Sequence, residues 1–405
     1  MSVLSGKNIL LGISGGIAAY KIPFLIRLLV KKNANVKCVI TNSARDFITP
    51  LTISALSNNP VYENFTTNEV NKPLWNNHVE LANWADLMII APATSNLLSL
   101  LSSGECKNLL VASYLSCKCD IYIAPAMDLE MFNHPSNKDN INKLKKIGNH
   151  ILPSPKGPLA SGLNGKGRML EPSDIVKKIE KKILSMLPMR NLKVLITAGP
   201  THEYIDPVRF ISNGSSGLMG FELAKTCLGL GAKVILITGP THLKLEDERL
   251  ELIDITSAME MYNEVISKYK KVDIIICAAA VADYTPKKIL DKKIKKESIF
   301  KNIVFKKTVD ILKYLGENKK NQLIIGFALE TDNEIENAIK KIKNKNLDAI
   351  VLNKLSSKNK CFQSKKNEII YIEKNKDPIF HKLKDKKLVS VDIINYILKL
   401  YESNN

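Results

Sequence analysis

Short runs of consecutive apolar residues alternate with amphipathic stretches along the whole chain. The runs at 7–13, 36–41, 86–90 and 120–124, and again at 193–197, 233–238, 272–278, 322–327 and 347–351, are apolar over most successive positions, with polar residues mainly at their starts. Continuous rather than alternating apolarity is what a strand covered on both faces requires. Between them the apolar positions recur at helical spacing over 17–30, 76–85, 173–187, 221–230, 334–345 and 389–400. That order predicts an α/β chain of two doubly wound, three-layer domains, 1–190 and 191–405, joined by a linker at 186–192 that contains Pro188. A further β-prone segment is expected at 368–372. The stretch GPLASGLNGKGR at 157–168 is too glycine-rich for regular structure and reads as a mobile flap. The lysine-rich segment 287–307 reads as a solvated, mobile face, and the tail 402–405 as frayed.

The turns at the carboxyl ends of these strands carry the candidate chemistry, because open α/β sheets bind ligands along that edge. Ser14-Gly15-Gly16 follows the first strand and opens a helix, which suits a phosphate. Thr41-Asn42-Ser43, Ala91-Pro92-Ala93-Thr94-Ser95-Asn96 and Pro125-Ala126-Met127-Asp128 follow the next three. In the second half the stretch 196–220, ITAGPTHEYIDPVRFISNGSSGLMG, passes from strand through a loop with Asp206, Arg209 and Asn213 to a glycine-rich helix start. Gly214 and Gly217 let backbone N–H groups approach an anion there. On local pattern alone, a glycine turn without a ligand stays equally open. TAGPTH at 197–202 and TGPTH at 238–242 are similar strand ends without a repeat period. Ala278 to Tyr284, AAAVADY, offers small residues with Asp283 at the rim. His78 stands alone in a helical pattern, where position by itself says little.

Composition narrows the classes. The net charge of +19 invites a nucleic-acid partner, but the lysines are dispersed and aromatics make up only 6%, so stacking platforms are lacking. No apolar run is long enough for a membrane span, and the start lacks a signal-peptide pattern, so a cytoplasmic protein is expected. The seven cysteines include one close pair, Cys117 and Cys119, without metal-ligand spacing, and read as buried free thiols. Neither G-x-G-x-x-G nor G-x-x-x-x-G-K-[ST] occurs at these turns, which argues against a nicotinamide-dependent oxidoreductase.

Taken in order, the motifs resemble the bifunctional coenzyme A biosynthesis family, in which phosphopantothenoylcysteine decarboxylase is fused to phosphopantothenate–cysteine ligase. GISGGIAAYK at 12–21, FITPLTISALS at 47–57, HVELANWADLMIIAPAT at 78–94 and PAM at 125–127 are similar to its flavin half. ITAGPT, DPVRFISNGSSGLMG, AAVADY, KIKK, GFALET and KNLD are similar to its ligase half. The resemblance implies a homo-oligomer with a flavodoxin-like first domain binding FMN through Ser14, Gly15, Gly16, Thr41, Ala91, Pro92, Ala93 and Thr94, with His78 catalytic. There FMN oxidises the cysteinyl thiol, CO₂ leaves, and the enethiol is reduced. The Rossmann-like second domain is implied to join L-cysteine to 4′-phosphopantothenate through an acyl-cytidylate made from CTP with Mg²⁺. Arg209 and Asn213 would handle the acyl intermediate. Ala279, Ala280, Asp283, Lys293, Val309, Asp310, Ile311, Leu312, Phe327, Lys341 and Lys345 would hold CTP.

Several positions depart from the family pattern. Asp128 stands where an asparagine binds the substrate carboxylate, and Ser161 where a flap cysteine donates a proton. Cys106-Lys107 replace the start of A-N-D-L, Thr308 and Val309 the centre of K-N-P-D-I, and Leu218 a lysine. Asp128 and Ser161 motivate a rival expectation: a ligase whose first half is only a flavin-binding oligomerisation scaffold.

Overall fold

The computed structural model describes residues 2–69, 72–293, 303–330, 332–354 and 364–404. The chain divides into two compact units, residues 2–185 and 186–405.

In the first unit, β1 (Asn8–Ile13), β2 (Asn35–Ile40), β3 (Val61–Tyr62), β4 (Leu87–Ala93), β5 (Asp120–Pro125) and β6 (His150–Ile151) form one sheet. All its pairings are parallel, in the order β3-β2-β1-β4-β5-β6. Without the two-residue β3 this is the flavodoxin order; in either reading the strand order reverses between β1 and β4. Side chains alternate across the sheet. Ile9, Leu11 and Ile13 join a core with the helices Ile22–Lys31 and Pro172–Met186. Leu10, Met88 and Ile90 face the helices Ser95–Ser103 and Leu109–Ser116 on the other side.

The second unit repeats the plan. β7 (Lys193–Ala198), β8 (Lys233–Thr238), β9 (Leu250–Asp254), β10 (Ile274–Cys277), β11 (Leu323–Glu330), β12 (Ala349–Lys354), β13 (Ile369–Glu373) and β14 (Ile379–Phe380) form a sheet ordered β9-β8-β7-β10-β11-β12-β13-β14. The first six run parallel, β13 is antiparallel to β12, and β14 is antiparallel to β13. Val194, Ile196, Val351 and Ile369 pack with the helices Leu218–Gly229 and Lys386–Asn404. Leu195, Ile275, Ile324 and Ile350 pack on the opposite face with Ala258–Lys268, Ile311–Asn318 and Glu334–Asn344. Both sheets are therefore central layers, as the continuous apolar runs require.

Several expectations need correction. The glycine-rich stretch 157–168 contains an antiparallel pair, Lys156–Pro158 with Asn164–Lys166. Its Gly165 lies so close to the Leu129 side chain that a Cβ would come within 2.5 Å, so that glycine serves packing rather than looseness. The presumed linker is partly core: Met189 is fully buried and its N–H donates to Leu230 O at 2.9 Å. The helix expected over 17–30 is a 3₁₀ turn, Ile17–Lys21, followed by an α-helix opened by Pro23. The strand expected to stop at residue 90 continues as β4 through Ala93. The last helix runs to Asn404, so 402–404 are helical. Within the lysine-rich segment, Phe305–Lys307 pairs with Tyr284–Pro286, while 294–302 lie outside the described residues. Cys38, Cys227 and Cys277 are buried, but Cys106 is exposed and Cys117 and Cys119 are half-buried. Among the described residues no helix is long and apolar enough to cross a membrane.

Candidate functional site

A cavity of about 730 Å³ in the second unit lies along the carboxyl edge of β7, β10, β11 and β12. It gathers Asn213, Ala279, Ala280, Asp283, Val309, Asp310, Ile311, Leu312, Phe327, Lys341 and Lys345 from distant parts of the chain. Its floor on one side is the start of the Leu218–Gly229 helix, capped by Gly217 in the left-handed conformation (φ 79°) with no side-chain cap. A Cβ on Gly217 would sit 3.2 Å from Gly199. Glycine therefore both satisfies the turn and leaves the helix's first N–H groups without a side-chain cap, the arrangement that favours an anion.

Across the cavity, Lys345 reaches the Asp310 carboxylate at 2.8 Å, and Lys341 pairs with Glu330. Asp310 also caps its own helix, accepting the Lys313 N–H at 3.0 Å. Partial burial works to raise the Asp310 carboxyl, but the hydrogen bonds from Lys345 and Lys313 outweigh it and hold the group below the usual range. Because the folded value lies below the unfolded value of about 3.9, the stabilisation is complete at neutral pH and is lost as pH falls through the folded value. Asp310→Asn is therefore expected to flatten the acid-side decline of the unfolding temperature below about pH 4. Thermal melts across that range check this; parallel curves for both proteins would contradict it.

Asn213 enters the cavity with its amide turned on the chain itself, Nδ2 donating to the carbonyls of Ala280 and Val281 at 3.1 Å each. Two expected residues lie elsewhere. Arg209 is absent from the lining; its guanidinium lies 3.5 Å from the fully buried Asp206 carboxylate, which also accepts the Val208 and Arg209 N–H groups at 2.8 Å. The short loop therefore turns Arg209 toward Asp206. Lys293 is exposed and outside the lining, and the rest of KIKK falls outside the described residues. Lys307 lines the cavity instead, as do Lys386, Asn353 and Asn367. Lys307 opens the segment that matches K-N-P-D-I, whereas the other three were passed over because single lysines and asparagines carry no spacing signal.

The first unit has two adjoining cavities, of about 670 and 470 Å³, that share Ser43, Thr94 and Asn96. They open where the strand order reverses, between the ends of β1 and β4. Ser14 Oγ donates to Pro92 O at 2.7 Å and accepts the Thr94 N–H at 3.1 Å, tying the two strand ends together. A Cβ on Gly15 would come within 2.4 Å of Ser43 O, so only glycine admits this approach. Gly15 and Gly16 line the larger cavity, Ser14 and Thr41 the smaller, and Thr94 both. Ala91, Pro92 and Ala93 are buried within β4 and line neither; their contribution is the Pro92 carbonyl.

Asp128 lines the larger cavity opposite Gly15 and Gly16, its carboxylate accepting the Leu129 N–H at 2.6 Å. Ser161 lies exposed at the tip of the hairpin and outside the lining, whereas Pro158, Leu159 and Ala160 contribute to it. Lys21 and Arg168 also line this cavity, and both bind Glu171, at 2.6 and 2.9 Å. The Lys21 hydrogen bond leads the effects that hold the Glu171 carboxyl below its usual range. The position of Lys21 at the end of GGIAAYK was the available signal for it. His78 lines neither cavity. Its ring stands edge-on to Phe65, a lining residue, with centroids 6.0 Å apart, and to Trp75 at 6.4 Å. Its Nδ1 is buried without a hydrogen-bond partner among the described residues. Among the described residues no three His, Cys, Asp or Glu side chains assemble into a metal site.

Residues 189–401 match the DNA/pantothenate metabolism flavoprotein C-terminal domain, and residues 2–184 match the Flavoprotein family. The coenzyme A biosynthesis bifunctional protein CoaBC of Bacillus subtilis (strain 168) is 43% identical over 404 residues, covering 98% of this chain and 98% of that protein. The chain belongs to the bifunctional coenzyme A biosynthesis family. A cysteine/cysteine sulfinic acid decarboxylase from an unknown prokaryotic organism is 47% identical over 358 residues, 87% of this chain and 99% of that protein. Among solved structures, the C-terminal domain of a coenzyme A biosynthesis bifunctional protein CoaBC is 40% identical over 53% of this chain and 98% of its own, with a TM-score of 0.46. A PPC decarboxylase mutant complexed with pantothenoylaminoethenethiol is 30% identical over 44% of this chain and 98% of its own, with a TM-score of 0.39.

Proposed function

We propose that this chain catalyses two steps of coenzyme A biosynthesis. Residues 191–405 ligate L-cysteine to 4′-phosphopantothenate at the expense of CTP, and residues 1–190 decarboxylate the product to 4′-phosphopantetheine. The observation that carries the reading is the second-unit cavity, where eleven of the thirteen ligase positions expected from the family motifs converge.

In the ligase, Lys341 and Lys345 supply positive charge for the triphosphate, and small Ala279 and Ala280 leave room for a flat base beside Phe327. The cap-free helix start at Gly217 suits the phosphate of the acid. Asp283 and Asp310 are too few to cage Mg²⁺, and Asp310 already holds Lys345. The metal would therefore be carried by phosphate oxygens and water.

In the decarboxylase, the glycine cradle at Gly15 and the hydroxyls of Ser43, Thr41 and Thr94 fit the phosphate of FMN, and the mainly apolar larger cavity fits its ring system. When bound, the flavin would supply oxidation of the cysteinyl thiol before CO₂ leaves and reduction of the resulting enethiol afterwards. His78, whose Nδ1 is buried without a partner among the described residues and whose ring packs edge-on against Phe65, would exchange a proton with the substrate. Lys21 and Arg168 bring two cations to Glu171 and so offset the Asp128 charge facing a substrate carboxylate. That balance favours an active decarboxylase over the scaffold reading. The family relatives named as bifunctional, and the one named as a cysteine decarboxylase, favour it too.

Exposed Ile17, Tyr20, Phe24 and Leu51 support assembly of the first unit with further copies of itself. Work on CTP and free thiols fits the cytoplasm. The test is to supply 4′-phosphopantothenate, CTP and cysteine, then follow pyrophosphate, CO₂ and 4′-phosphopantetheine. All three are expected from a yellow protein; pyrophosphate without CO₂ would restore the scaffold reading. Gly15→Ala should lose the flavin absorbance on purification and leave pyrophosphate release intact.

A further inference from the structure

The loop after β10, residues 278–283, is alanine, alanine, alanine, valine, alanine and aspartate. Until Asp283 it has no polar side chain with which to hold its own shape, yet all six residues line the second-unit cavity. Its shape is imposed from outside. The Ala282 N–H donates to Oγ1 of the fully buried Thr201 at 3.0 Å. Three consecutive carbonyls, those of Ala280, Val281 and Ala282, accept bonds from side chains of other segments. Asn213 supplies the first two bonds, and Thr308 Oγ1 supplies the third, at 2.7 Å.

Thr308 also ends a main-chain ladder. Tyr284–Pro286 pairs antiparallel with Phe305–Lys307, and the Thr308 N–H adds one bond beyond that pairing, to Asp283 O at 2.9 Å. The next carbonyl, Ala282 O, is reached by the Thr308 side chain. One residue thereby binds two successive carbonyls of the loop. Directly after it come Val309, Asp310, Ile311 and Leu312, which line the same cavity.

This use of the hydroxyl decides its role. A threonine side chain carries a single O–H, and here that hydrogen is directed at Ala282 O, so it cannot also be donated to a phosphate. Thr308 therefore acts on the site through the backbone. Its setting explains the need: Val309 leaves φ free where the proline of the family pattern would fix it. Two bonds from one residue restrain the segment in place of a ring.

We propose that Thr308 is a positioning residue for the nucleotide, holding segment 309–312 in register with loop 278–283. This rests on the ligase reading above, which assigns both sets of residues to CTP. The role is distinct from that of Asn213. Asn213 ties the loop to the segment after β7, whereas Thr308 ties it to the start of the Ile311–Asn318 helix, where Asp310 and Lys345 meet. Loosening the Thr308 bond should therefore weaken the hold on CTP and leave the other two substrates alone.

Thr308→Val tests this, because it keeps the branched shape and removes only the donor. The KM for CTP is expected to rise about 3- to 10-fold, the range for net loss of one hydrogen bond. The KM values for 4′-phosphopantothenate and cysteine should stay at wild-type levels, and Thr308→Ser, which keeps the hydroxyl, should restore the CTP value. If Thr308→Val does not fold, Thr308→Ala gives the same readout, since its smaller side chain lets water reach the Ala282 carbonyl. An unchanged KM for CTP would overturn the proposal. So would an equal rise for all three substrates, or a Thr308→Ser enzyme as impaired as the valine variant. Failure of the ligase reading itself is separate: wild-type enzyme would then show no acid-dependent exchange of pyrophosphate into CTP.

Discussion

His78→Asn is expected to lower decarboxylation by about 10²- to 10⁴-fold, the range for loss of a general acid or base, and to leave ligation unchanged. The expectation rests on Nδ1, which is buried without a partner among the described residues. A buried polar atom left unmade costs about 1–3 kcal/mol, so the fold has no reason of its own to keep imidazole at this position. His78→Phe sharpens the argument, since an aromatic ring preserves the edge-on contacts with Phe65 and Trp75 while removing the nitrogen. It should melt no lower than wild type and be equally inactive in CO₂ release. A variant that melts much lower, or that decarboxylates at the normal rate, would remove His78 from the chemistry.

Asn213→Ala is expected to lower ligation by about 10²- to 10³-fold, as loss of a preorganised polar group that stabilises developing charge does. The family motif implied direct handling of the acyl intermediate, and the geometry adds a second task. Both hydrogen bonds of Nδ2 go to the carbonyls of Ala280 and Val281, so this side chain joins the loop after β7 to the loop after β10. Its Oδ1 remains to accept a bond from the substrate. Asn213→Asp separates the two tasks: a carboxylate keeps the acceptor but sets negative charge against two carbonyl oxygens. It should therefore be worse than alanine. Pyrophosphate release measures both variants, and CO₂ release from supplied 4′-phosphopantothenoylcysteine should stay at the wild-type rate. An Asn213→Asp enzyme more active than Asn213→Ala would show that the loop bonds are incidental.

Much of the architecture was legible in the sequence because strands covered on both faces are apolar at most successive positions. The runs at 36–41 and 233–238 correspond to β2 and β8 within a residue. Where legibility failed, the missing information was a neighbour distant in sequence. Glycines at 157–168 suggest looseness until Leu129 is seen against Gly165. Met189 looks like linker until Leu230 meets its N–H. Ala91, Pro92 and Ala93 sit in a motif implied to touch the cofactor, yet the sheet extends through them, and only the Pro92 carbonyl and Thr94 reach the ligand edge.

The sequence by itself determined two doubly wound layers, their ligand edges and the family, because buried strands and glycine turns impose patterns on consecutive residues. Only the tertiary structure decided which polar side chains share a cavity. Arg209 was drawn aside to a buried carboxylate, Ser161 was left at a hairpin tip, and Asn353, Asn367 and Lys386 were brought to one wall. Those outcomes depend on which face of a sheet a residue points to and on what packs above it. Neither is written in the spacing of a motif.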